Sequence, residues 1–262
     1  EPETTALDGF DLKIGAEERP LTITGRAGLD ARGLRLSLAA RQIDLDKMLG
    51  ANGEAASPRE AMAAAGDLAR ELGRQAGRLA ASPISVDFAP GVVTLGGEAV
   101  ADASLSLSRS PGEAPIVRLE TSLPGRSRVL AEGRLDTGAA ARFAGRIDVT
   151  SGDARRLRDW LGGALPAGVQ APFSTLSIKA VADISAVSFS LRGADLQLDR
   201  TPLKGEAIYV APVAGERGRF FADLTSDALD IDGAPDLTAL IGAAPDHDFS
   251  LTLDARAVRV AR

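Results

Sequence analysis

Residues 175–200, TLSIKAVADISAVSFSLRGADLQLDR, decide the fold. Leu176, Ile178, Ala180, Ala182 and Ile184 alternate with Ser177, Lys179, Val181 and Asp183. Val187, Phe189 and Leu191 continue the rhythm, and Leu196 and Leu198 resume it after Gly193. Extended backbone sends successive side chains to opposite sides, so period two means one apolar face and one wet face. That is the pattern of half-exposed antiparallel strands.

The same alternation spreads outward from this stretch. GLRLSLAAR carries Leu34, Leu36 and Leu38 on one parity, and ASLSLSRS carries Leu105 and Leu107. RFAGRIDVTS and FSLTLDARAVRV behave alike. Turns are expected at DGF, AGLDARG, SPGEAP, LPGR, DTGA, DRTPLKG and AGERGR. Short strands separated by such signals at roughly 8–12-residue spacing predict a mainly β, antiparallel architecture.

One segment departs from this rule. Residues 57–82 predict a helix, with Ser57 as N-cap, Pro58 in the first turn and Glu60 three residues after the cap. Ala61, Ala65, Leu68, Leu72, Ala76 and Leu79 form its apolar stripe, which fits a helix covering part of a sheet. A second short helix is expected in SGDARRLRDWLG, with Leu157, Trp160 and Leu161 on one side. The expected organisation is a β unit over 1–50, a helical insertion over 51–82, and β units over 83–165 and 166–245. A further unit begins over 246–262.

Composition excludes several function classes. Aromatic residues are 4% of the chain and the net charge is -6. That supplies neither the stacking rings nor the basic footprint of a nucleic-acid binder. There is no cysteine, which removes disulfides and thiolate catalysis. No apolar run is long enough to span a bilayer as a helix. The first residues do not read as a signal peptide, and both ends read as cut from a longer protein.

The acidic phrase ALDIDGAPDLTALIG, residues 228–242, invites a calcium reading. An EF-hand with Gly233 at its sixth position has Asp230 and Asp232 in place. It then meets Ala228 at position one and Ala239 at position twelve, and fails at both. Related phrases at 41–50 and 145–162 keep the order strand, acid, apolar helical turn, Gly, so the acids read as caps. His247 is the only histidine and reads as a turn residue. No nucleophile, phosphate-loop or metal-protease spacing occurs, so neither catalytic residues nor a metal or cofactor is expected. Paired carboxylates of a sugar-cleaving enzyme remain an alternative, since such pairs meet only in space.

Residues 189–237 contain LQLD, then TPLKG, then FADLTSDALDID. Residues 119–162 and the phrase LRLSLAARQIDLDKMLG follow the same grammar. This grammar resembles the AsmA family of bacterial envelope proteins. The resemblance implies a periplasmic protein anchored in the inner membrane and similar to groove-shaped lipid carriers. It also implies a role in phospholipid transport and outer-membrane assembly, with membrane contacts through parts of a parent chain, and it brings no catalytic motif. The expected fold is then a strongly curved antiparallel sheet forming an elongated groove. Its inner face is expected to hold phospholipid acyl chains on Leu34, Leu36, Leu38, Leu105, Leu107, Ile147, Ile178, Phe189, Leu191, Leu196, Leu198 and Leu224. Small residues at Ala101, Ala103, Gly145, Ala180 and Ala182 are expected to face inward too. A closed sandwich or β-solenoid spacer without ligand shows the same periodicity and stays open at this point.

Overall fold

The computed structural model describes residues 5–14, 21–49, 57–58, 60–61, 64, 82–136, 141–161, 173–212, 216–230 and 246–259. The protein is mainly β. Thirteen strands are hydrogen-bonded in sequence order in one sheet that does not close into a barrel. They are β1 (Thr5–Ile14), β2 (Leu21–Asp30), β3 (Gly33–Asp44), β4 (Ile84–Leu95), β5 (Glu98–Arg109), β6 (Ile116–Leu123), β7 (Ser127–Asp136), β8 (Arg142–Ser151), β9 (Leu176–Ser185), β10 (Ser188–Leu198), β11 (Thr201–Val210), β12 (Gly218–Ser226) and β14 (His247–Ala255). The two-residue strands β13 (Leu229–Asp230) and β15 (Val258–Arg259) pair separately. Helices α1 (Leu45–Leu49) and α2 (Ala154–Leu161) follow β3 and β8.

The chain forms two compact units. The first holds residues 1–124 and 130–141, the second 125–129 and 142–262. The expected boundaries at 50, 82, 165 and 245 all fall inside these units. Two of them nevertheless mark a change in pairing. β4 runs parallel to β3, and β14 runs parallel to β12, whereas the other described pairings of the sheet are antiparallel. A parallel neighbour needs a long crossover, and residues 45–83 and 227–246 provide it. At 165 no such seam exists, because β8 and β9 are antiparallel.

In the first unit, cross-strand rows show which residues share a face. One row runs Gly25, Leu38, Phe88, Leu105, Leu119, and the next runs Ala27, Leu36, Val86, Leu107, Val117. Between and opposite them lies the polar row Arg26, Ser37, Asp87, Ser106, Arg118. The strands then bend. Buried Ala40 gives way to buried Ile43 on β3, and Pro90 to Val93 on β4. The switch falls at Arg41 and at Gly91, where a Cβ would overlap the Arg41 carbonyl oxygen. On β5 it falls at Asp102, whose φ is 51°. An odd number of residues crossing a bend exchanges the two faces. Ala101 lies past this bend, next to buried Val100 and opposite Val92.

In the second unit the apolar rows continue across six strands. One reads Phe143, Ile184, Phe189, Tyr209, Phe220, Phe249; another reads Gly145, Ala182, Leu191, Ala207, Ala222, Leu251. The bend here is a bulge at Gly193, with φ 55°, between Leu191 and Ala194. Ala180, Ala182, Leu191 and Ala194 are buried at this bend, and Ile147, Ile178, Ile184, Phe189 and Leu196 pack against them.

Several local expectations change. DGF is a bulge inside β1, where the register shifts between Leu7 and Phe10. TPLKG is the start of β11; only Asp199 and Arg200 make the turn. Pro202 is tolerated because it sits exposed near the strand's start. The helix start expected at Ser57 is present as a full capping box. The Ser57 N–H donates to Glu60 Oε2 at 2.7 Å, and the Glu60 N–H donates to Ser57 Oγ at 3.2 Å. The rest of that expected helix, and the residues 231–242 that carry most of the third acidic phrase, lie outside the described residues.

Candidate functional site

The residues expected to form an inner face do share one face within each unit. Leu34, Leu36 and Leu38 on β3 align with Leu107 and Leu105 through Val86 and Phe88 of β4. In the second unit Ile147 opposes Ala180, and Ile178 opposes Leu196. Phe189, Leu191 and Leu198 continue that face along β10, and Leu224 joins it through Gly205 and Ala194. The same face includes residues that were not singled out: Val86, Phe88 and Leu119 in the first unit, and Val149, Tyr209, Phe220 and Phe249 in the second. Their signal was the same alternation, notably in FSLTL.

The faces are half covered. Leu191, 5% exposed, belongs to the packed bend. The other eleven expected residues keep part of their side chain open to solvent. Leu105 is 37% exposed, and Leu251 and Leu253 on the outermost strand are 41% and 38% exposed. Among the described residues no large side chain is fully buried. What is buried in the second unit is mainly alanine: Ala154, Ala180, Ala182, Ala194 and Ala222. Small side chains at the bend and large half-open ones around it make an apolar surface that is partly exposed among the described residues.

Glycines keep this surface smooth. A Cβ on Gly25 would overlap the Phe10 ring and the Leu38 side chain, so glycine lets the Phe10 ring lie over β2. In the first unit a depression of about 910 Å³ joins Phe10, Gly25, Leu38, Phe88 and Leu105 to flanking Arg26, Asp87 and Arg118.

The opposite face of the second unit carries internally paired charges beside exposed Val181 and Ile208. Arg142 Nε donates to Asp183 Oδ1 at 2.7 Å, and Lys179 faces Asp148 at 3.6 Å. The Arg142 hydrogen bond holds the Asp183 carboxyl below the ordinary aspartate value. Such exposed pairs contribute little stability. They do mark this face as the solvated one.

One end of the second unit's apolar face holds an aromatic cluster that sequence reading missed. His247 is the first residue of β14, not a turn residue, and its ring stacks on Tyr209 with centroids 5.7 Å apart. His247 Nε2 and Tyr209 Oη are 3.2 Å apart, and Phe249 lies 6.1 Å from Phe220 between ring centroids. Gly218 makes room, since a Cβ there would overlap the imidazole. Nδ1 is buried with no protein partner. The acids of the repeated phrases act as caps: Asp44 accepts the Lys47 N–H at 3.1 Å, and Asp153 accepts the Arg156 N–H at 3.1 Å. Asp46 reaches across to the Gly96 and Gly97 N–H groups of the β4–β5 turn at 2.7 and 2.8 Å.

Among the described residues, no group of three or more acidic or histidine side chains is placed to hold a metal ion. No helix of the described residues is long and apolar enough to cross a membrane. No family model, curated protein or solved structure matches this chain.

Proposed function

We propose that this chain is a non-enzymatic lipid-binding segment of an AsmA-like envelope protein. In this reading the parent is anchored in the inner membrane, and the segment lies in the periplasm. It carries phospholipid acyl chains in support of outer-membrane assembly. The observation that carries the reading is the half-covered apolar face in each unit, with no large side chain fully buried among the described residues. A ligand-free sandwich or spacer would cover such faces with its own side chains. Exposed apolar patches of this kind mark binding surfaces in natural proteins. Acyl chains fit because they are long, featureless and apolar, and burial drives their binding at roughly 25 cal/mol per Å².

The test is organic extraction of the purified chain followed by mass spectrometry, with uptake of a fluorescent phospholipid as a second readout. Co-purified phospholipid and saturable uptake are expected. A chain that yields no lipid and takes up none refutes the reading.

A further inference from the structure

The sheet of the second unit ends on a strand edge. β14 pairs with β12 and with no other described strand. Two backbone bonds fix the phase of this parallel ladder. The Gly218 N–H donates to the Asp246 carbonyl at 2.9 Å, and the Arg256 N–H donates to the Ser226 carbonyl at 3.0 Å. Bonding residues alternate along each strand of a ladder. Asp248, Ser250, Thr252 and Asp254 therefore turn their N–H and C=O groups to β12. His247, Phe249, Leu251, Leu253 and Ala255 turn theirs the other way, and the His247 carbonyl duly accepts from Arg217 Nη2 at 2.8 Å.

Natural sheets guard such edges with proline, lysine, bulges or short strands. β14 uses none of these. Its sequence HDFSLTLDA runs nine residues beside β12 with no register shift. By contrast β1, at the other end of the strand order, is interrupted by a bulge between Leu7 and Phe10. Leu251 and Leu253, 41% and 38% exposed, offer apolar contacts to a neighbouring strand.

Charge selects that neighbour. On the polar face of the sheet one row reads Glu206, Asp223, Thr252, and the next reads Lys204, Thr225, Asp254. Three acids meet one base there. Toward the start of β14, Asp248 is already held by Arg217 at 2.7 Å. A second copy of β14 fits poorly. Laid antiparallel and centred on Leu251, it would set Asp248 against Asp254 twice, and like charges directly opposite each other destabilise a strand pair.

We propose that the edge of β14 receives an extended peptide strand from outside this chain, one in which apolar residues alternate with lysine or arginine. Backbone groups of Phe249, Leu251, Leu253 and Ala255 would bond it, as in other sheets that bind by strand addition. Its apolar side chains would lie beside Leu251 and Leu253, and its cations beside Thr252 and Asp254. The proposal does not depend on whether the apolar face holds lipid.

The test titrates the chain with a fluorescent peptide of alternating valine and arginine, as long as β14, and reads anisotropy. It is expected to bind at least about tenfold more tightly than a peptide of alternating valine and glutamate. Three N-methyl groups on one edge of the arginine peptide should abolish binding, because they remove its ladder donors and keep its charge. L251P removes an N–H from the free edge and leaves the β12 ladder whole, so it should also abolish binding, whereas L251A keeps that N–H and should retain it. The E206Q/D223N/D254N variant should bind the arginine peptide roughly tenfold more weakly. If L251P fails to fold, the N-methylated peptide decides on the unaltered chain. Equal binding of the methylated and unmethylated peptides, or of the arginine and glutamate peptides, overturns the proposal. So does absence of binding, or a dimer of the chain alone that L251P dissociates.

Discussion

Each half-covered side chain on the apolar face divides between the fold and the ligand, and that division can be measured. Leu251 and Leu253 sit on β14 at 41% and 38% exposure. Replacing a leucine by alanine removes three carbons, about 2.4 kcal/mol of apolar transfer at about 0.8 kcal/mol per carbon. The exposed share, near two fifths, is what an acyl chain can cover: about 1 kcal/mol per residue and about 2 kcal/mol for both. The covered share, about 1.4 kcal/mol per residue, belongs to folding, with no closed cavity to add to it. The L251A/L253A variant should therefore bind lipid roughly 30-fold more weakly. It should lose about 3 kcal/mol of stability. Leu191 gives the contrast. At 5% exposure almost all of its side chain is committed to folding, so L191A should cost about 2–5 kcal/mol of stability and alter lipid affinity little. Urea denaturation reads the first quantity, and titration with a fluorescent phospholipid reads the second. Unchanged lipid affinity in L251A/L253A, with the expected loss of stability, would refute the division and with it the claim that this face holds lipid.

Three further outcomes follow from local geometry. Gly205 has φ 153°, and a Cβ there would overlap the Asp223 carbonyl oxygen across the β11–β12 ladder, so G205A should destabilise strongly. G28A, with nothing near its Cβ, should change the urea midpoint little. Asp183 titrates below its unfolded value because Arg142 donates to it, so its contribution is present above the unfolded pKa and lost as pH falls through the folded one. The Arg142 side chain is largely exposed, so D183N should flatten the acid side of the stability–pH curve by no more than about 1 kcal/mol.

The alternation in residues 175–200 determined by itself which side chains share a face. It did so because side chains on a strand point alternately whatever the partner strand is. Thus Ile178, Leu196 and Leu198 could be grouped before any pairing was known. Ser57 with Glu60, and Asp44 and Asp153 ahead of their helices, were legible because caps act within one helical turn. The contact of the β6–β7 turn with the start of α2 was not legible, because Gly125 meets Asp153 and Arg126 meets Gly152 only in the folded chain. Nor was the His247–Tyr209 cluster, which joins residues from different strands across Gly218. The parallel seams at β3–β4 and β12–β14 were not foreseen, because strand direction is fixed only when the strands pair, even where a helix start was legible between them. The register shift between Ala101 and Ser104 against β6 was not legible either, because it is seen only once the two strands pair. Above all, alternation is identical for a face buried in a sandwich and a face left open. Whether anything lies over it is a long-range packing outcome, and only the tertiary structure, with its alanine-floored bends and half-open leucines, decided how far each of these described side chains is exposed.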